Sequence, residues 1–280
     1  MPEYDLKLIL TTLKEATIKP KIRLTTLRVE CSQFDSKIGG TPYIPKDFEY
    51  PYSVTNPEVP LRLLAQINFE QMPKLEGFPT TGILQVFIND CEDSMYGCDL
   101  YSDSTEPLNY RIIYHKTIDY TANYLDTIPE IPECDSWSFV APICCKLIPN
   151  LEYQGITIEN EGFDTKLKEV LKRLYPNSTE QEVEDFIDDY DTLSDGYEQY
   201  IYTPETPIGG HAIGGYPYNI QGDPRSEERF EEYSTLLLQL DTDDDADMMF
   251  GDCGVANFFI KPQDLKDLNF NDVLYSWDCY

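Results

Sequence analysis

The residues best suited to chemistry lie in two stretches of the second half of the chain. The first runs Asp241-Thr242-Asp243-Asp244-Asp245-Ala246-Asp247 and on to Asp252, six aspartates in twelve residues. Carboxylates at alternate positions each offer an oxygen to a hard cation, which is how calcium loops are built. Asp241, Asp243 and Asp245 are therefore candidate ligands of a divalent cation. The pattern departs from a calcium loop at defined points: Ala246 stands where glycine is needed, and Asp252 stands in place of the closing glutamate. The plainer alternative is a solvated acidic hairpin loop. No other cofactor is evident.

The second stretch carries His211, Gln221, Asp223 and Arg225 in a turn-rich segment. Loops of this kind often carry function, and an imidazole near neutral pKa can act as acid or base. If His211, Asp223 and Arg225 meet Asp241 and Asp252 at one sheet edge, they form a site for a metal-dependent or small-molecule-processing enzyme. The alternative is that His211 and Arg225 tie loops down through hydrogen bonds. No nucleophile elbow or phosphate loop accompanies them, and His115 with Cys144-Cys145 has no spacing that makes a dyad. Catalytic residues stay unknown at this level, and the missing signature favours a binding role.

The elements that would position these residues are announced by a repeat. Ile38-Gly39-Gly40-Thr41-Pro42-Tyr43 returns as Ile213-Gly214-Gly215-Tyr216-Pro217-Tyr218. Leu64-Ala65-Gln66-Ile67-Asn68 returns as Leu237-Leu238-Gln239-Leu240-Asp241, and Gly82 to Ile88 returns as Gly254 to Ile260. The offsets are 175, 173 and 172 residues, a near-constant spacing that duplication of one unit explains. The units span about 30–118 and 205–280. Each is too small to cover its own strand edges, so one compact domain over 1–280 is expected, with the copies paired about a pseudo-two-fold. The fold class is α+β, with mixed or antiparallel sheets and a few peripheral helices.

Local patterns fill in the rest. Leu6, Ile9, Leu10 and Leu13 predict a helix over 3–17, ended by Pro20. Strands are expected at 21–31, 61–69, 82–88, 110–115, 137–149 and 151–159. A helical insertion at about 160–200 holds a helix over 163–175. A second helix follows to about Asp191, opened by a capping box at Thr179 and Glu182.

The bulk numbers narrow the function classes. With 51 acidic and 21 basic residues the net charge is −30, which argues against nucleic acid and anionic membranes as partners. A basic protein or a cation fits better. The first residues lack the apolar run of a signal peptide, no stretch is long enough to span a membrane, and a cytoplasmic location is expected. Eight cysteines without a C-x-x-C pair, and two histidines, argue against zinc. Most of the cysteines are expected to be small buried residues.

These same blocks resemble the YwqG-like family of bacterial proteins, a domain of unknown function. The likeness rests on Ile38-Gly39-Gly40-x-Pro42, on Leu64-Ala65-Gln66-Ile67, on His211-x-x-Gly214-Gly215-x-Pro217 with Gln221 and Asp223, on Leu237 to Asp241, on Phe250-Gly251-Asp252, and on Trp277-Asp278-Cys279. Phe250 stands where the family pattern often has Trp. The resemblance implies an internally duplicated α+β fold in a cytoplasmic bacterial protein and no particular activity. Members are similar in kind to proteins found near polymorphic toxin and immunity genes, which implies an immunity or partner-binding role. The resulting expectation is a non-enzymatic binding protein, an immunity-type module that meets a basic partner through its acidic surface, with oligomeric state open.

Overall fold

The computed structural model describes residues 4–90, 95–98, 107–131, 143–202 and 209–280. The chain starts with a helix, α1 (Leu6–Ala16), whose first turn is capped by the Asp5 carboxylate accepting from the Leu8 N–H at 3.0 Å. Five strands of the first half follow: β1 (Lys19–Leu27), β2 (Lys37–Ile38), β3 (Arg62–Asn68), β4 (Ile83–Ile88) and β5 (Tyr110–His115). β6 (Cys145–Gln154) leads into three helices, α2 (Phe163–Leu174), α3 (Glu180–Ile187) and α4 (Tyr190–Tyr200). The second half supplies β7 (His211–Gly214), β8 (Thr235–Asp241), β9 (Val255–Ile260), α5 (Pro262–Asp267) and β10 (Val273–Asp278).

The ten strands form one sheet in the order β10-β9-β8-β7-β1-β6-β2-β3-β4-β5. Every described pairing is antiparallel. The sheet curls into a nearly closed barrel. Its two outer strands meet where the Tyr110 hydroxyl on β5 donates to the Val273 carbonyl on β10 at 2.6 Å, and where the Tyr114 and Phe270 rings lie 4.8 Å apart. Closure of this kind removes most of the exposed strand edge. Leu64, Val86, Ile88, Leu238, Leu240, Phe258 and Ile260 belong to the largest core. A second core holds Ile9, Leu10 and Leu13 of α1 against Phe163, Leu167, Leu171 and Tyr197 of α2 and α4.

β1 and β6 pair along their whole length at the centre of the sheet. Four strands flank them on each side, β2 to β5 on one and β7 to β10 on the other. The same contacts recur in both. A register shift lies between Leu63 and Ala65 on β3, and another between Leu236 and Leu238 on β8. The Gln66 amide oxygen accepts from the Tyr43 N–H at 2.8 Å, and that of Gln239 accepts from the Tyr218 N–H at 2.7 Å. Gln85 donates to the Tyr43 carbonyl and Asn257 to the Tyr218 carbonyl, each at 2.8 Å. Gly39-Gly40 and Gly214-Gly215 all hold positive φ, which only glycine adopts without strain, and this turns the chain back toward those amides.

Several local expectations need correction. A single strand, β6, replaces the two expected at 137–149 and 151–159, and residues 137–142 lie outside the described residues. Pro149 is tolerated inside it because β2 pairs only with Cys145 and Lys146, leaving the other edge of β6 open beyond that point. β1 ends at Leu27, not Cys31. The capping box at Thr179 and Glu182 forms, but its helix stops at Ile187, and a further helix begins when Asp189 accepts from the Thr192 N–H at 3.2 Å. Of the described cysteines, all free, only Cys98 and Cys145 are buried and Cys253 is exposed. Cys91 and Cys134 lie outside the described residues. No described helix is long and apolar enough to cross a membrane.

Replacing Gln66 or Gln239 with leucine strands the backbone groups they serve. Each change should cost about 1–3 kcal/mol, with Gln66→Leu the worse because its amide serves four groups and that of Gln239 two. Urea denaturation reads this directly. An unchanged midpoint in either variant would show that the amides do not hold the two loops.

Candidate functional site

His211 is buried at the start of β7, with 3% exposure. Its Nδ1 accepts from the Asp241 N–H at 2.9 Å, which leaves the proton on Nε2, and Nε2 donates to an Asp243 carboxylate oxygen at 3.1 Å. The Asp243 carboxylate also accepts from the Thr26 hydroxyl at 2.8 Å and from the Ala246 N–H at 3.0 Å. The His211 contact, aided by these two, holds its carboxyl well below the usual range. Asp241 accepts from the N–H groups of Gly210 at 2.6 Å and Thr242 at 2.8 Å, yet burial still raises its carboxyl. Asp245 turns its carbonyl to Arg28 at 2.9 Å and leaves its side chain exposed. The three aspartates of the calcium-like spacing thus take three different partners. Among the described residues, no group of three or more His, Cys, Asp or Glu stands ready to hold a metal ion.

The other candidates gather at the end of β10. The N–H groups of Ile220 and Gln221 donate to one oxygen of Asp278 at 2.8 and 2.9 Å, and the Gln221 amide donates to the Cys279 carbonyl at 2.5 Å. The Asp252 side chain is exposed, and its carbonyl accepts from the Tyr280 N–H at 3.1 Å. Asp223 and Arg225 form a buried ion pair, with the guanidinium 4.5 Å from the Phe259 ring centre. Burial raises the Asp278 carboxyl, and the Asp223 and Asp241 carboxylates add to the effect against the two backbone donors. Its second oxygen, Oδ1, is buried without a hydrogen-bond partner, and so are Asn257 Oδ1 and Asn219 Nδ2.

The first half shows what this corner lacks. There His115 Nε2 meets the Gln85 amide oxygen at 2.8 Å. His115 pairs with Ile83 and Gln85 with Ile113, so the contact runs along one diagonal of the sheet. On the second half, Asp278 pairs with Val255 and Asn257 with Ser276, which is the same diagonal. Two shorter side chains, both ending in an unpaired acceptor, replace a donor–acceptor pair.

A family model described as Domain of unknown function (DUF1963) matches residues 36–279. The chain belongs to this family. The match begins after α1 and β1, and it takes in all the candidate residues of this DUF1963 member. No curated protein matches the chain. The family description assigns no activity, so the corner has to be understood from its own geometry. Asp278 is the buried, unpartnered carboxylate of this corner that sequence spacing did not single out. Its place at the end of an edge strand becomes visible only once β9 and β10 are in register.

Asp278→Asn supplies the donor that Asn257 Oδ1 lacks while keeping an acceptor for Ile220 and Gln221. A carboxyl raised on folding contributes stability below the ordinary carboxylate pKa and loses it as pH rises through the folded value. The variant should therefore be more stable than the parent at neutral pH, by about 1 kcal/mol. The gain should shrink as the pH falls toward about 4. Thermal melting across pH tests this, and a variant destabilised at neutral pH would show that Asp278 is held by contacts its amide cannot make.

Proposed function

We propose that this DUF1963 member is a non-enzymatic binding protein that receives a basic protein partner on the acidic hairpin between β8 and β9. One observation carries the proposal. Asp244, Asp245, Asp247 and Asp252 are exposed on the hairpin, and among the described residues no ion pair reaches their side chains. Several of the cations elsewhere are paired with carboxylates of the same chain. Arg23 pairs with Glu152, Lys146 with Asp35, Lys168 with Glu180 and Glu184, Arg225 with Asp223, and Lys261 with Asp272. The charge excess of the chain is left facing outward, where it speeds encounter with a positive surface.

An immunity-type role in a bacterial cytoplasm is the finer form of the proposal. It rests on the YwqG-like resemblance, whereas the origin of the two halves by duplication rests on the sequence repeat. The recurring amide contacts and bulges support the latter. An enzyme working near His211, Asp241 and Asp252 is less well supported. Both imidazole nitrogens are occupied in holding the hairpin, and the Asp252 side chain faces solvent.

Affinity capture of the tagged protein from its native cells, at low and at high salt, tests the binding role. The expected result is one basic protein retained at low salt and released as screening grows. The variant with Asp244, Asp245 and Asp247 all changed to Asn should retain it several-fold less, since surface pairs lose their attraction. Retention that ignores both salt and the triple change would remove the hairpin from the binding surface.

A further inference from the structure

Two thiols meet next to the residues that hold the acidic hairpin. β1 and β6 stay in register to their last pair, Leu27 and Lys146. Two further steps along that register bring Val29 opposite Cys144. The Cys31 thiol folds back on this position and donates to the Val29 carbonyl at 3.4 Å. The Cys144 thiol in turn donates toward the Cys31 sulfur. Gly40 makes room for it, since a Cβ there would stand 2.6 Å from Cys144 Sγ. Both thiols are partly exposed, whereas the adjacent Cys145 is buried, with its thiol donating to the Asp245 carbonyl at 3.1 Å.

A buried cation serves the pair. Lys37 is fully buried, and its ammonium donates at 2.7 Å to the carbonyl of Ser32, the neighbour of Cys31. Both sulfurs act on it electrostatically. An ammonium in that place favours a thiolate over a thiol. Burial and the bond to Cys31 push the Cys144 thiol up to about 12, so Cys144 is the partner that keeps its proton. The pair also sits between two anchors of the hairpin. Arg28, on the Cys31 segment, donates to the Asp245 carbonyl at 2.9 Å and to that of Asp244 at 3.4 Å. Cys145, on the Cys144 segment, holds the same Asp245 carbonyl.

We propose that Cys31 and Cys144 form a reversible disulfide under oxidation, and that this bond stiffens the acidic hairpin by joining the two segments that hold it. The bond does not depend on what the hairpin binds, so it stands apart from the partner-binding reading. With hydrogen peroxide as the oxidant, the Cys31 thiolate attacks one peroxide oxygen and the O–O bond breaks. Hydroxide leaves and takes up the proton that Cys31 released, giving water and a Cys31 sulfenic acid. The Cys144 sulfur then attacks the Cys31 sulfur, and its thiol proton joins the departing hydroxide as a second water. Each sulfur loses one electron and peroxide gains both. A dithiol such as dithiothreitol reverses the change by two thiol–disulfide exchanges.

Peptide mapping of the unreduced full chain by tandem mass spectrometry, before and after a small molar excess of peroxide, makes the test. The expected product is a linked peptide pair, lighter by two hydrogen atoms, with fragment ions that place the bond at Cys31 and Cys144 rather than at Cys134 or Cys145. Dithiothreitol should remove it. Cys144→Ser should leave Cys31 as a sulfenic acid that dimedone traps, and Cys31→Ser should give no linked pair at Cys144. Amide hydrogen exchange over residues 243–248 should slow several-fold in the oxidised parent and recover on reduction. Peroxide treatment that yields no Cys31–Cys144 pair, or a pair that leaves the exchange of the hairpin unchanged, would overturn the proposal. The mapping and the exchange use the unaltered protein, so they decide the matter even if either serine variant fails to fold.

Discussion

A side-chain amide buried on a sheet has to find partners, and in this protein that requirement fixes where the loops run. Gln66 and Gln85 face each other across β3 and β4, and Gln239 and Asn257 across β8 and β9. Each pair seizes both the N–H and the carbonyl of one tyrosine, Tyr43 or Tyr218. An unmade hydrogen bond in such a place costs about 1–3 kcal/mol, so the loop that delivers the tyrosine is not free to wander. The double-glycine turn ahead of each tyrosine is the matching backbone device. The bulges on β3 and β8 complete the same unit, and they re-aim the strand beside the amides.

The two halves then differ where the amide pair meets the outer strand. In the first half His115 closes the diagonal with Gln85, and burial holds the imidazole pKa down at about 4, so it remains a neutral partner. In the second half the Asn257 and Asp278 positions on that diagonal each carry a buried acceptor without a partner, and the Asp223 and Asp241 carboxylates oppose the charge on Asp278. His211 stands where the first half has Ser36, whose hydroxyl oxygen accepts from the Asn68 N–H as His211 Nδ1 accepts from the Asp241 N–H. The larger ring reaches one group further, to Asp243, and so anchors the acidic hairpin that the first half does not have. The His211–Asp243 contact thus fixes the base of the loop whose further carboxylates are exposed.

Much of this framework was legible in the sequence, because apolar strands with a single Gln inside are unusual and they recurred at fixed spacing. β3, β4, β8 and β9 and the capping box at Thr179 follow from such local signals. What was not legible depends on register. Nothing near Asp278 announces that it will sit diagonal to Asn257, and nothing near Lys21 announces that Gly215 will leave room for its stem. α4 was hidden for a different reason. Its start is set by an Asp189 cap only two residues past the end of α3, so the second helix was carried on to about Asp191 and the rest of α4 went unread. His211 and Asp241 are the end residues of β7 and β8 rather than loop residues, and spacing could not separate the buried Asp223–Arg225 pair from the exposed Asp252.

The placement of the few buried cations reflects the charge of the whole chain. A chain of net charge −30 gains from placing its few lysines where the surrounding field favours them, and that field offsets part of the desolvation cost of Lys21 and Lys37. Both still lose affinity for the proton, so burial outweighs the field at each site. Lys37 recovers some of the cost from a carbonyl and Lys21 does not, although both lie in the middle of the same sheet. A well-packed protein would be expected to satisfy or expose such a group. At Lys21 the Glu152 carboxylate supplies part of that compensation from a distance, raising the ammonium's pKa against burial and Arg23.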